Sequence, residues 1–221
     1  MITRTAKLFF TSICILLLYS CASSRSGGDE YTYNGVDISH YQGHIDWDKL
    51  ASNRNIKYVY IKASEGSTWT DSYRKEYALA AKKKKLLVGY YHFFRVSSSG
   101  ADQFENFKKA TEGLPHKLIP VLDIEVEPKA SELARFEEGI KTWIKLCKKH
   151  YGIYPIIYTM PNFDKKYLPF CSKYKKWYAG RINENAILSK TVMWQVAIKP
   201  VPGISGNADW DFCPKIRKIK K

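Results

Sequence analysis

Leu118-Ile119-Pro120-Val121-Leu122-Asp123-Ile124-Glu125 is an apolar run that ends in two carboxylates spaced two residues apart. Alternate residues of a strand share a face, so Asp123 and Glu125 are expected to point the same way. An apolar run of this kind reads as a buried strand, and acids at its C-terminal end stand where β/α barrels carry their active sites. A strand end that simply reaches water would show the same two residues.

Outward from this segment the chain alternates strand and helix. Before it lie strand patterns at Gly35–Ser39, Lys57–Ala63 and Leu86–Phe94. Helical patterns fall between them at Asp46–Asn53, with Asp46 as N-cap, at Asp71–Lys85 and at Ser99–Thr111. After it, Ala130–His150 has helical spacing through Leu133, Phe136, Ile140, Trp143, Ile144 and Cys147, and Tyr154–Thr159 is the next strand. Lys176–Gly180, Thr191–Val196 and Ala208–Phe212 then read as strands with little room for helices between them. The fold class expected is α/β: a modified, TIM-like β/α barrel with few helices in its C-terminal part.

The N-terminus reads as a processing segment. Arg4 and Lys7 precede an apolar stretch, Leu8–Leu18, that is too short to span a membrane comfortably, and Ser20-Cys21 follows. This resembles a bacterial lipoprotein signal, with residues 1–20 removed and Cys21 acylated; an ordinary secretory signal cleaved nearby is the alternative. Residues 21–33 then form the lipidated Cys and a flexible tether, 34–214 the barrel domain and 215–221 a basic tail. The expected location is the cell envelope, as an exported, membrane-anchored lipoprotein.

The chain of 221 residues carries 36 Lys and Arg against 21 Asp and Glu, a formal charge of +15. Loss of Arg4 and Lys7 with the signal, and of no acid, leaves +13. Such a protein is drawn to anionic polymers or surfaces. Nucleic acid is a poor partner for an exported chain without a recognition module. The Lys82–Lys85 run suits the negative end of a helix dipole, and the tail from Lys215 reads as a disordered basic arm. The domain retains Cys147, Cys171 and Cys213, so one disulfide is possible, with the pair left open. His40 and His44 are four apart, but Gly43 argues for a loop rather than a ligating helix, so neither metal nor other cofactor is expected.

Two more acids repeat the strand-end pattern: Asp37 in the first strand and Asp209 near the last. First and last strands are neighbours in a closed barrel, so acids from first, middle and last strands can converge on one mouth. Glycoside cleavage uses such a set, with one carboxyl to protonate the leaving oxygen and another to support the cationic centre.

These pieces together resemble glycoside hydrolase family 25, the Chalaropsis-type lysozymes. The resemblance rests on Asp37-Ile38-Ser39-His40-Tyr41-Gln42-Gly43, Ile61-Lys62-Ala63-Ser64-Glu65-Gly66, Gly89-Tyr90-Tyr91-His92-Phe93, Asp123-Ile124-Glu125, Trp194-Gln195 and Ala208-Asp209, in that order. It implies a β/α barrel that cleaves the β-1,4 bond after N-acetylmuramic acid in peptidoglycan; a monomer is expected, and the sequence leaves the oligomeric state open. It also implies that Glu125 is the general acid, Asp123 the assisting carboxylate, and Asp37 and Asp209 further site acids. Trp69, Trp210 and Asp211 depart from the family's usual residues. Tyr41, Tyr91, Phe93, Tyr158, Trp177 and Trp194 fall near strand ends, where they stack on sugars or pack the core. Gln195 joins this substrate-binding set. Glu65 either hydrogen-bonds within the cleft or only pairs with Lys62. Glu127 is a rival acid expected in the exiting loop, and His92 a packed or positioning histidine. A wall-binding lipoprotein without catalysis, and a hydrolase of another N-acetylated glycan, are the competing functions.

Overall fold

The computed structural model describes residues 33–180 and 190–221. The signal segment, the tether and Cys21 lie outside the described residues.

The strands are β1 (Gly35–Ile38), β2 (Tyr58–Glu65), β3 (Trp69–Thr70), β4 (Leu87–Phe93), β5 (Val121–Asp123), β6 (Ile156–Thr159), β7 (Lys176–Ala179), β8 (Thr191–Pro200) and β9 (Asn207–Phe212). The helices are α1 (Trp47–Ser52), α2 (Arg74–Lys83), α3 (Gly100–Thr111), α4 (Leu133–Tyr151) and α5 (Pro161–Tyr167). Parallel pairing runs β1-β2-β4-β5-β6-β7-β8. Antiparallel β9 closes the ring between β8 and β1, giving an eight-stranded mixed barrel with β3 as a short flap on β2. The expected barrel is therefore the observed one. The expected scarcity of late helices also holds, except that α5 stands between β6 and β7. It starts at Pro161, whose fixed φ suits the first helical turn.

Local chemistry sets the helix ends. The Asp46 carboxylate accepts from the Lys49 amide at 3.0 Å and caps α1. Ser99 Oγ accepts from the Asp102 amide at 3.1 Å and caps α3. Gly152, at φ 73°, ends α4 in the left-handed region where a glycine costs least. The Lys82–Lys85 run closes α2, as the dipole argument requires.

Strand alternation divides the core in two. Val59, Ile61, Val88, Leu122 and Ile157 face outward and pack under Phe107, Phe136, Ile140 and Trp143 of α3 and α4. Tyr58, Tyr60, Val121, Ile156, Trp177 and Met193 face inward and fill the barrel. Gly35 and Gly89 make room for the two tyrosines: a Cβ at Gly35 would lie 2.1 Å from the Tyr58 ring, and one at Gly89 2.3 Å from the Tyr60 ring.

Two expectations are corrected. The basic tail is not a free arm. Ile219 is fully buried in the barrel interior, and its carbonyl accepts from the Ile119 amide at 2.8 Å. The Lys221 amide donates to Lys117 O at 3.1 Å, so the tail seals the end of the barrel where the parallel strands begin. Nor does a disulfide form. Cys147, Cys171 and Cys213 are all free and buried, with Cys213 inside the barrel and the other two in the outer layer, on opposite sides of the sheet.

Candidate active site

Seven of the barrel strands run the same way, and their C-terminal ends surround a cavity of about 240 Å³. β1 brings Asp37 to it, β5 brings Asp123, and the residues just past β5 bring Glu125. β9 runs in reverse, so its early residue Asp209 reaches the same mouth, in register with Asp37. Tyr41, Tyr91, Phe93, Tyr158, Trp177 and Gln195 also line the cavity.

The backbone between the paired acids is fixed on both sides. The Ile124 amide donates to Tyr158 O at 3.0 Å, and Thr159 Oγ1 donates to Ile124 O at 2.7 Å. A side-chain relay then orients Asp37. Tyr158 Oη donates to Gln195 Oε1 at 2.7 Å, and Gln195 Nε2 donates to Asp37 Oδ2 at 3.2 Å. The phenol stays protonated and so remains a donor, because burial and the surrounding acids hold it well above the usual tyrosine range. Asp123 is 5% exposed, and its Oδ1 is buried with no partner among the described residues. A buried acceptor without a partner calls for a donor, and Asp123 is part of the cavity lining.

The acids shift one another upward. Burial, then Asp209, raises Asp37 well above the usual carboxylate range, against the opposing Gln195 hydrogen bond. Burial raises Asp209 to about 6, with Glu125 adding to it. Burial raises Glu125, while its hydrogen bond with Asp123 and the charge of Lys62 act the other way. Burial and then Glu125 raise Asp123 strongly. Asp123 and Glu125 lie close enough to share a proton and titrate as a pair. Burial thus raises both members of the pair.

Of the residues expected from sequence, Trp194 is not brought to the cavity. Inward Gln195 is its neighbour in β8, so alternation turns Trp194 the other way; it pairs in register with Tyr178 and Phe212, its ring 6.3 Å from that of Phe212. Glu65 lies beside the cavity rather than in it, accepting from Lys62 Nζ at 2.7 Å and from Arg95 Nε at 2.7 Å. Glu127 is exposed and accepts from Tyr167 Oη at 3.3 Å, away from the cavity. His92 is fully buried between Ser64 Oγ (2.8 Å) and Gln103 Oε1 (3.1 Å), where burial lowers its pKa to about 4.

Two features went unread in the sequence. Lys62 lines the cavity as its cation, 4.9 Å from the Phe93 ring centre and 5.0 Å from that of Trp69. Its position, in step with inward Tyr58 and Tyr60, is the signal that could have found it. Asp71, fully buried, accepts from both the amide and Nδ1 of His40 at 2.8 and 2.9 Å. That anchors the tight turn His40–Gln42 and leaves Tyr41 81% exposed at the cavity rim.

The chain matches the sequence pattern of Glycosyl hydrolases family 25 over residues 36–201. It is 33% identical to lysozyme M1 of Streptomyces globisporus, the match covering 80% of this chain and 60% of that one. It is 31% identical to the autolytic lysozyme of Clostridium acetobutylicum, covering 80% and 54%. The fold superposes on a family 25 glycosyl hydrolase from Bacillus anthracis with a TM-score of 0.71 and 27% identity, over 89% of this chain and 95% of that one. A lysozyme from Streptomyces coelicolor gives 0.69 and 25%, over 82% and 91%. With the barrel, the acid-lined mouth and this match across most of its length, the chain belongs to glycosyl hydrolase family 25 and is a glycoside hydrolase.

Proposed function

We propose that the enzyme cleaves the β-1,4 bond between N-acetylmuramic acid and N-acetylglucosamine in peptidoglycan, with Glu125 as general acid and Asp123 assisting. The observation that carries this reading is the pairing of Glu125 with a buried Asp123 in the lining of one cavity. The lysozymes among its relatives support the choice of substrate.

The protonation states follow from substrate binding. The acetamido N–H of muramic acid donates to Asp123 Oδ1, and a donor of this kind favours the charged carboxylate. The shared proton then rests on Glu125, which faces the glycosidic oxygen. Glu125 gives that proton to the leaving oxygen as the C1–O bond breaks, and the acetamido carbonyl oxygen forms the new bond to C1. Water opens the resulting ring and returns a proton to Glu125. Asp209, raised only to about 6, supplies negative charge near the developing cation above that pH, and Asp37, held by Gln195, faces it across the seam.

Clearing of purified peptidoglycan by the wild type, and its loss in Glu125→Gln, tests the reading. Binding without clearing by either protein would instead favour a wall-binding lipoprotein.

The location belongs to the same proposal. Arg4, Lys7, the apolar Leu8–Leu18 and Ser20-Cys21 support a lipid anchor on Cys21 in the cell envelope. Incorporation of labelled fatty acid, abolished by Cys21→Ser, tests it.

A further inference from the structure

Beside the catalytic cavity lies a second hollow of about 440 Å³, lined by His40, Glu65, Trp69, Arg95 and Ser98 among others, and joined to the first through Tyr41 and Lys62. The two differ in charge. The cavity is lined by four carboxyls and one lysine, the hollow by Lys62 and Arg95 against the single Glu65. Glu65 is fully engaged, with Oε2 on Lys62 and Oε1 on both Nε and Nη2 of Arg95. It therefore fixes both cations in place: Lys62, which also acts on the cavity acids, and Arg95, which lines the hollow alone.

Two donors without partners belong to residues that line the hollow. The Arg95 side chain is 43% exposed, and its Nη1 has no partner among the described residues. Its guanidinium lies over Phe93, 4.6 Å from the ring centre. Ser98 Oγ is buried without a partner. Trp69 is 38% exposed and forms a wall, with the His40 ring 5.1 Å away and Tyr41 a further 4.1 Å beyond it. A fixed guanidinium with a free edge, a hydroxyl and a flat aromatic wall recognise a carboxylate attached to a bulky group.

We propose that this hollow binds a carboxylate of the stem peptide borne by the muramic acid, with Arg95 and Ser98 as its donors; this rests on the peptidoglycan reading above. A carboxylate is repelled by the acid-lined cavity, so the anionic part of the substrate must be seated away from it, and the cationic hollow is the adjoining place. The hollow thereby selects strands that still carry peptides.

The test compares cleavage of peptidoglycan strands bearing stem peptides with strands stripped of them by an amidase, for wild type, Arg95→Gln and Ser98→Ala. Wild type should prefer the peptide-bearing strands. Arg95→Gln should reduce that preference about tenfold, through KM rather than kcat, and Ser98→Ala about threefold in the same direction. Equal KM of the wild type for both substrates, or variants that lose both activities alike, would overturn the proposal while leaving the peptidoglycan reading intact. A wild type that cleaves neither would overturn both.

Discussion

Asp37 and Asp209 are register partners across the antiparallel seam where β9 meets β1. That seam is what makes the barrel mixed, and it places an acid from each end of the domain at one mouth. With Asp123 and Glu125 opposite, the cavity holds more negative charge than burial allows to ionise fully.

Asp123→Asn keeps the shape of the pair but removes the anion that holds the acetamido group. Turnover should fall by about 10²–10³-fold, while binding of an inert glycan fragment changes little. Single-turnover kinetics and calorimetry measure the two. Wild-type turnover in this variant would remove Asp123 from the mechanism.

Lys62 holds Asp123 and Glu125 lower than burial alone would. The acid must be protonated to act, so activity falls as pH rises through its pKa. Lys62→Met withdraws the cation, and the alkaline limb of kcat/KM should move up by about one unit. A limb that stays in place, or moves down, would mean that the limb reports another group.

Asp211 is fully buried, and both its carboxyl oxygens lack partners among the described residues. Burial, with Asp37 and Asp209 nearby, raises its pKa well above the usual range. Between the ordinary carboxylate pKa and this raised one, the unfolded chain has lost a proton that the folded chain keeps, so stability falls as pH rises. Asp211→Asn removes that penalty. Its melting temperature should exceed that of the wild type at pH 7, and the gap should narrow towards pH 4. A gap independent of pH would contradict this.

Ile219 fills the bottom of the barrel from a tail rich in lysine. Ile219→Ala should cost about 2–5 kcal/mol, the usual range for a core isoleucine, in urea denaturation. A change below about 0.5 kcal/mol, typical of a surface position, would restore the free-arm reading.

The barrel was legible in the sequence because buried strands and amphipathic helices differ in period, and each strand up to β6 is bounded by its own turn. Asp123 was legible because an acid closing an apolar strand has no solvated reason to be there, and Asp37 and Asp209 because they lie in the first and last strands, neighbours in a closed barrel. The tail was not: Ile216 and Ile219 sit among five basic residues, and burial of one side chain leaves no periodic trace. Helix α5 was hidden by Pro161, which reads as a breaker unless it falls in the first turn. Trp194 was grouped with Gln195 by adjacency in sequence, although alternation in a strand sends neighbours to opposite faces. Lys62 escaped notice because a lysine in a strand looks like an exposed residue until the barrel closes around it.

The most direct measurement is the identity of the new reducing ends when purified peptidoglycan is digested, reduced with borohydride and analysed by mass. Muramitol ends from the wild type, reduced by about 10²–10⁴-fold in rate with Glu125→Gln, are the predicted result. Glucosaminitol ends, or muramitol ends formed equally fast by the variant, would contradict the assignment of bond and acid.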